Sequence, residues 1–212
     1  MNQTEYLILE FAVEFSPTLT QVAQEENLFY SEVVNAAHHL FQNGDILASL
    51  YSGEDPEEEE ISNVVLTCDE IQANLNGELL ADYYLTPQGG AKWEALAHPN
   101  WNQFSSGFFH YPDNRIEIIG TQRQIVETFL AIDCFMGGHK HIPGSEVWEV
   151  LEPWEATYWK TLKKGYSVCY QQESNYWYLD ETYTPIDWVE SYEQAGRCYA
   201  QMTKWYKRPL FD

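Results

Sequence analysis

Apolar residues fall at helical spacing twice near the start of the chain. Leu7, Ile8, Phe11 and Phe15 repeat every three to four positions, and Leu9 and Val13 widen the stripe. The spacing predicts a helix over 4–15, buried on more than one side and stopped by Ser16-Pro17. Thr18-x-x-Gln21 is a capping-box pattern and predicts a short helix to about residue 27. Val33, Val34, Ala37, Leu40 and Phe41 predict a third helix over 31–42, closed by Asn43-Gly44. Ile46-Leu47-Ala48-Ser49-Leu50-Tyr51 then reads as a strand. Thr67-x-x-Glu70 predicts a short helix to about residue 75, with Asn76-Gly77 as the turn after it. Tyr83, Tyr84 and Leu85 end a strand. Thr86 follows as N-cap and Pro87 as the first helical residue, where a missing N–H costs nothing. This helix runs to about residue 97 and stops at His98-Pro99. Three short helices followed by a strand is the winged-helix order, with Tyr83-Tyr84-Leu85 completing the wing.

The pattern changes after Trp101. Residues 102–114 carry three Phe and one Tyr and read as a linker or an extended crossing segment. A strand is predicted over 115–119, and Thr121-x-x-Gln124 caps a helix bearing Ile125, Val126, Phe129 and Leu130. Residues 145–180 alternate aromatic and polar types, predicting strands at 146–151, 156–162, 166–172 and 176–179. Trp188, Tyr192, Ala195, Tyr199, Met202 and Tyr206 form a stripe at 4-3-4-3-4 spacing on a last helix starting near Pro185 or Asp187. The expected fold class is α+β: an acidic winged-helix-like domain over 1–101, then a small aromatic-rich α+β domain over 102–212 with an antiparallel meander.

Composition supplies ample core, with 44% hydrophobic and 16% aromatic residues. No apolar run approaches the length of a membrane span. Met1-Asn2-Gln3-Thr4-Glu5 lacks the basic start of a signal peptide, so a cytoplasmic setting is expected. The four cysteines form no C-x-x-C pair and are expected to be free, half-buried thiols.

Charge alters the reading most. The net charge is −22. Residues 1–97 hold 18 Asp/Glu and one base, Lys92; residues 98–212 hold 15 Asp/Glu and 10 Lys/Arg. Such a field repels phosphate and anionic lipid and draws basic surfaces. The third helix, where a DNA reader would place its recognition residues, offers Ser31, Glu32, Asn35, His38, His39 and Gln42, with no Arg or Lys. Nucleic acid and membranes are therefore not expected as partners. A basic protein is, and Glu54, Asp55, Glu57, Glu58, Glu59 and Glu60 form the acidic loop expected to meet it.

Other chemistry is sparse. Four consecutive Glu do not supply the spaced ligands and glycine turn of a calcium loop. His139-x-His141 places two imidazoles on one side of a strand, and Cys134 supplies a third potential metal ligand, without an evident fourth. No nucleophile elbow, phosphate loop or cysteine signature is present, so no catalytic residue and no cofactor is expected. An enzyme pocket in the aromatic second half is one alternative; a winged-helix transcription regulator is another.

The motif Leu85-Thr86-x-x-Gly89-Gly90-x-x-Trp93-Glu94, followed by Pro99-x-Trp101, resembles a family of bacterial proteins of uncharacterised function. The resemblance is specific over about 85–101. It implies an acidic winged-helix-like front and an α+β back, and no activity or catalytic residue. More broadly, the front half is similar to winged-helix transcription regulators. Thr86, Gly89, Gly90 and Trp93 are read as structural, with the two glycines permitting a close turn and Trp93 packing the exit helix.

Overall fold

The computed structural model describes residues 1–51, 60–110, 115–136, 140–173, 192–202 and 204–211. The fold is mixed α+β, with antiparallel sheets, and it divides into two compact units. One comprises Met1–His98, Thr157–Lys160 and Arg208–Asp212; the other comprises Pro99–Ala156 and Thr161–Lys207.

In the first unit, α1 (Gln3–Phe11) opens on a capping box. Asn2 accepts from the Glu5 N–H at 2.8 Å, and the Asn2 N–H donates to Glu5 Oε2 at 2.7 Å. Residues 5–10 of this helix are all buried. It ends at Phe11, four residues short of the sequence expectation. Instead of continuing the ladder, the Ala12 carbonyl accepts from the Tyr158 hydroxyl and the Val13 carbonyl from the Trp159 indole at 2.9 Å. Thr18 caps α2 (Leu19–Glu25), and α3 (Tyr30–Gln42) buries Val33, Ala36, Ala37, Leu40 and Phe41.

Three strands follow: β1 (Ile46–Tyr51), β2 (Glu60–Val64) and β3 (Ala81–Leu85). Between the last two lies α4 (Cys68–Leu75), held by a Thr67/Glu70 capping box. Strand β1 is central and antiparallel to both neighbours. Thus β3 does not close a wing hairpin with β2. It lies on the other side of β1, because α4 carries the chain across before it returns.

The segment after β3 locks the unit. Thr86 N-caps α5 (Pro87–Ala97), accepting from the Gly89 N–H at 3.2 Å, with Pro87 at the first position. The Thr86 hydroxyl also donates to the Gly44 carbonyl at 2.7 Å, and its N–H donates to the Asp45 carbonyl at 3.0 Å. Gln88 Nε2 donates to the Asn43 carbonyl at 2.7 Å and to Asp45 Oδ1 at 2.8 Å. The α3–β1 corner is therefore clamped against the first turn of α5. Gly89 and Gly90 lie inside the helix and make no turn. A Cβ on Gly89 would sit 2.0 Å from the Asp45 carbonyl oxygen, and one on Gly90 would sit 2.1 Å from the Trp159 ring. Trp93 is fully buried and meets Trp159 edge-on at 6.3 Å.

The second unit is built on a sheet of β4 (Ser105–His110), β5 (Arg115–Gly120), β10 (Gly165–Glu173) and β6 (Lys140–His141), with β7 (Val147–Leu151) also on β10. Residues 105–110, expected as linker or extended crossing segment, are a strand because they pair residue for residue with β5, from Ser105↔Gly120 to His110↔Arg115. One face of the sheet packs α6 (Arg123–Met136) through Ile116, Ile118, Val126, Leu130, Val168 and Tyr170. Helix α7 (Tyr192–Met202) meets α6 through Ala195 and Ala131. The stripe reading is partly corrected here: Tyr199 is 45% exposed, and Tyr206 lies beyond the helix. A short 3-10 turn at Trp101–Gln103 starts an aromatic cluster of Trp101, Phe104, Trp154 and Trp205. The strand expected over 156–162 is instead two, β8 (Trp154–Thr157) and β9 (Lys160–Leu162), with Tyr158 and Trp159 in the turn between. The strand expected at 176–179, Trp188 and the start of the last helix lie outside the described residues. Among the described residues, no helix is long and apolar enough to cross a membrane.

Two outcomes are expected. Gly90→Ala lowers stability by about 1–3 kcal/mol through overpacking. Gly196→Ala, a helical position in α7 with nothing within 4 Å, raises it by up to about 1 kcal/mol; denaturant melts compare the two. The Tyr83 phenol, fully buried and donating to the Ile8 carbonyl at 2.7 Å, is held well above its ordinary pKa by burial, and next by Tyr158. Above about pH 10 the unfolded chain loses this proton while the folded one keeps it, so stability is full below that pH and falls above it. Tyr83→Phe should flatten the fall above pH 10 by up to about 1.4 kcal/mol per pH unit, read by thermal melts across the alkaline range.

Candidate protein-interaction surface

The first unit contains 18 Asp/Glu within Met1–His98 and one more in Asp212, against three bases, one in each of its three pieces. Each base is tied to an acid. Lys92 Nζ lies 2.6 Å from Asp45 Oδ2, whose side chain is 1% exposed. Lys160 Nζ lies 2.6 Å from Glu94 Oε1. The Arg208 guanidinium forks onto Glu26 at 2.9 and 3.0 Å and lies 2.5 Å from Glu10 Oε2. The Glu10 contact is an ion pair in proximity but not an aligned hydrogen bond. Desolvation disfavours the Arg208 charge, but the hydrogen bonds to Glu26 and the close Glu10 carboxylate outweigh it and hold its pKa above the ordinary arginine value.

No Lys or Arg of this unit is therefore uncommitted, whereas Glu32, Asp69 and Glu78 are exposed. The third helix adds no Lys or Arg at its surface. His39 Nδ1 lies 2.6 Å from Glu5 Oε1, so this side chain faces a carboxylate. Ser31, Glu32 and Asn35 are exposed and His38 is half-buried. Beside them, Phe29 is 76% exposed at the entry to α3, an apolar contact within an acidic surface.

The acidic loop expected to meet a partner falls largely outside the described residues: Glu54, Asp55, Glu57, Glu58 and Glu59 are among those not described, and Glu60 opens β2 opposite Tyr51. Of the metal set, His139 lies outside them too, and Cys134 is placed only as part of α6. His141 sits in β6 with Nε2 2.8 Å from Glu146 Oε1 and its ring edge-on to Tyr170 at 5.1 Å. Among the described residues, no group of three or more His, Cys, Asp or Glu is arranged to hold a metal. Cys68, Cys169 and Cys198 are free thiols; Cys68 is exposed rather than half-buried.

The second unit carries two shallow clefts on the sheet face away from α6. One of about 440 Å³ is lined by Arg115, Ser145, Val147, Glu149 and Cys169; one of about 250 Å³ is lined by Phe108, Ile119, Leu151 and Trp154. Cys169 is a free, half-buried thiol there, and the Ser145 hydroxyl donates to the Ile142 carbonyl at 2.7 Å and accepts from the Gln171 N–H at 3.0 Å. Those are backbone partners that fix a turn, not a base that would activate it.

Sequence reasoning passed over Asp45, Glu10, Glu26, Tyr158 and Trp159. The signal for Asp45 was faint: it is the acid directly after the Asn43-Gly44 helix stop, and the only early base, Lys92, is one that a buried acid would claim. No protein-family model, no curated protein and no solved structure matches the chain.

Lys92→Met leaves the Asp45 carboxylate buried with Gln88 alone, and should cost about 1–3 kcal/mol. Asp45→Asn in the same chain should recover part of that loss, giving a favourable coupling energy in a double-mutant cycle of urea melts.

Proposed function

We propose that the chain is a non-enzymatic interaction protein whose acidic first unit docks a basic protein surface, as an immunity-like or regulatory factor does. The observation that carries this reading is the commitment of Lys92, Lys160 and Arg208 to internal acids, which leaves the outward field of the unit negative. Exposed Phe29 supplies an apolar anchor of the kind that interfaces bury. The three free thiols accord with a cytoplasmic setting.

A second reading is favoured by element order. Three helices lead into an antiparallel sheet, with α4 inserted ahead of the last strand, and this order supports a winged-helix-like reading of the first unit. A transcription regulator would set α3 in the major groove, yet phosphate contacts require cations that this unit spends on itself. Its activity would have to come from a basic subunit bound to it, which the first reading already supplies.

The test is capture of a partner on the immobilised full chain at about 50 mM salt, then measurement of its Kd up to about 300 mM. The expected partner is basic, and its affinity falls steeply across that range. Neutralising Glu32, Asp69 and Glu78 together should weaken it further. Affinity indifferent to salt would refute the reading. Enrichment of a duplex from a random DNA pool at the low-salt end would replace it with the second.

A further inference from the structure

Arg208 and Phe211 occupy a seat on the first unit made by Tyr6, Glu10 and Glu26. The Glu10 side chain is 3% exposed; its Oε1 accepts from the Tyr6 hydroxyl at 3.1 Å, and its Oε2 lies 2.5 Å from Arg208 Nη2. Glu26 stands at the end of α2 and takes both arms of the guanidinium. The Phe211 ring lies 5.4 Å from that of Tyr6. Two carboxylates thus share one guanidinium, and one of them is taken out of water. A buried carboxylate without a cation is costly, so the seat demands an arginine.

The occupant, by contrast, is lightly held. Residues 207–211 have no regular secondary structure, and no backbone hydrogen bond of 208–211 occurs among the described residues. The Arg208 side chain is half exposed at 51%, and Leu210 is 99% exposed. Two side chains do the holding, with Pro209 limiting the freedom of the backbone between them. The other late piece of the unit is different in kind. Tyr158 and Trp159 bond backbone carbonyls from within a hairpin turn, and Tyr158 also accepts the Leu85 N–H at 2.8 Å.

We propose that the Tyr6–Glu10–Glu26 seat is an exchangeable acceptor for an arginine-x-x-aromatic segment of a basic protein partner, and that residues 208–211 fill it until that partner arrives. This rests on the reading of the first unit as a docking surface for basic proteins, and it names the residues the partner must bring. An incoming arginine replaces Arg208 like for like, so the exchange leaves no carboxylate unpaired. The displaced segment competes for the same seat and sets the threshold affinity for the partner.

The probe is a capped peptide, Lys-Arg-Pro-Leu-Phe, labelled for fluorescence anisotropy. It is titrated against the full chain and against Arg208→Ser, Phe211→Ala and Arg208→Ser/Glu26→Gln. If residues 208–211 fill the seat nine times in ten or more, Arg208→Ser should bind the peptide at least about tenfold more tightly than the parent. Phe211→Ala should give a smaller gain. The gain should vanish in the double variant and with Ala in place of the peptide's arginine. Equal or absent binding to parent and Arg208→Ser, with a native melting profile, overturns the proposal. Should Arg208→Ser not fold, Phe211→Ala decides, and no gain over the parent overturns it. Dimers appearing on size exclusion when Arg208→Ser is mixed with the parent would assign the seat to a second copy and overturn the partner. A basic partner that binds Phe211→Ala and parent equally, with steep salt dependence, would sink this inference while leaving the docking reading intact.

Discussion

A carboxylate removed from water has to be met by donors, and in the first unit that requirement falls on Asp45. Its side chain takes Lys92 and Gln88, and its carbonyl takes the Thr86 N–H. All three donors lie within the first two turns of α5 or at its cap. Meeting Asp45 therefore fixes where α5 begins and how close it comes to the α3–β1 corner. Closeness is what excludes a side chain at position 89, and the same approach brings position 90 against Trp159. Trp93, one turn further on, is then sealed inside. A single buried acid thus accounts for Thr86, Gly89 and the position of Trp93 in the motif over 85–94.

Local chemistry was the legible part. Thr18, Thr67 and Thr86 each announced a helix start, because a capping side chain speaks to a backbone N–H only three residues away. Sequence patterns also placed β1, α3 and β5 to within a residue or two, while α6 starts at Arg123 and Thr121, expected to cap it, donates its hydroxyl to the Trp101 carbonyl instead. What stayed hidden depends on partners far along the chain. Gly89 and Gly90 look like a turn until Asp45 and Trp159 are set beside them. Residues 105–110 look like linker or crossing segment until β5 is laid alongside. The early stop of α1 follows from Tyr158 and Trp159, some 146 residues on. Periodicity carries no record of such contacts.

The charge of the front half was read correctly as a count, but a count does not say which charges remain outward. The cations that the first unit has are folded inward against acids, and two of the three arrive from the later part of the sequence. This sharpens the contrast between the units. One presents acid with its counter-charges consumed; the other buries an aromatic cluster and presents an open sheet face with Arg115 and Glu149 at one cleft.

The first unit is also assembled from three separate stretches, and synthesis delivers them in order. Met1–His98 emerges with Lys92 as its only base, with the Gly90 surface lacking Trp159 and Glu10 lacking Arg208. At roughly 5–20 residues per second, the ribosome adds Arg208 roughly 5–20 s after His98. The Gly90 face lacks its cover until Trp159 is made, and Glu10 lacks its arginine for the whole interval. The unit's full set of ion pairs thus waits on translation, and the last of its own cations to be made is the one Glu10 needs.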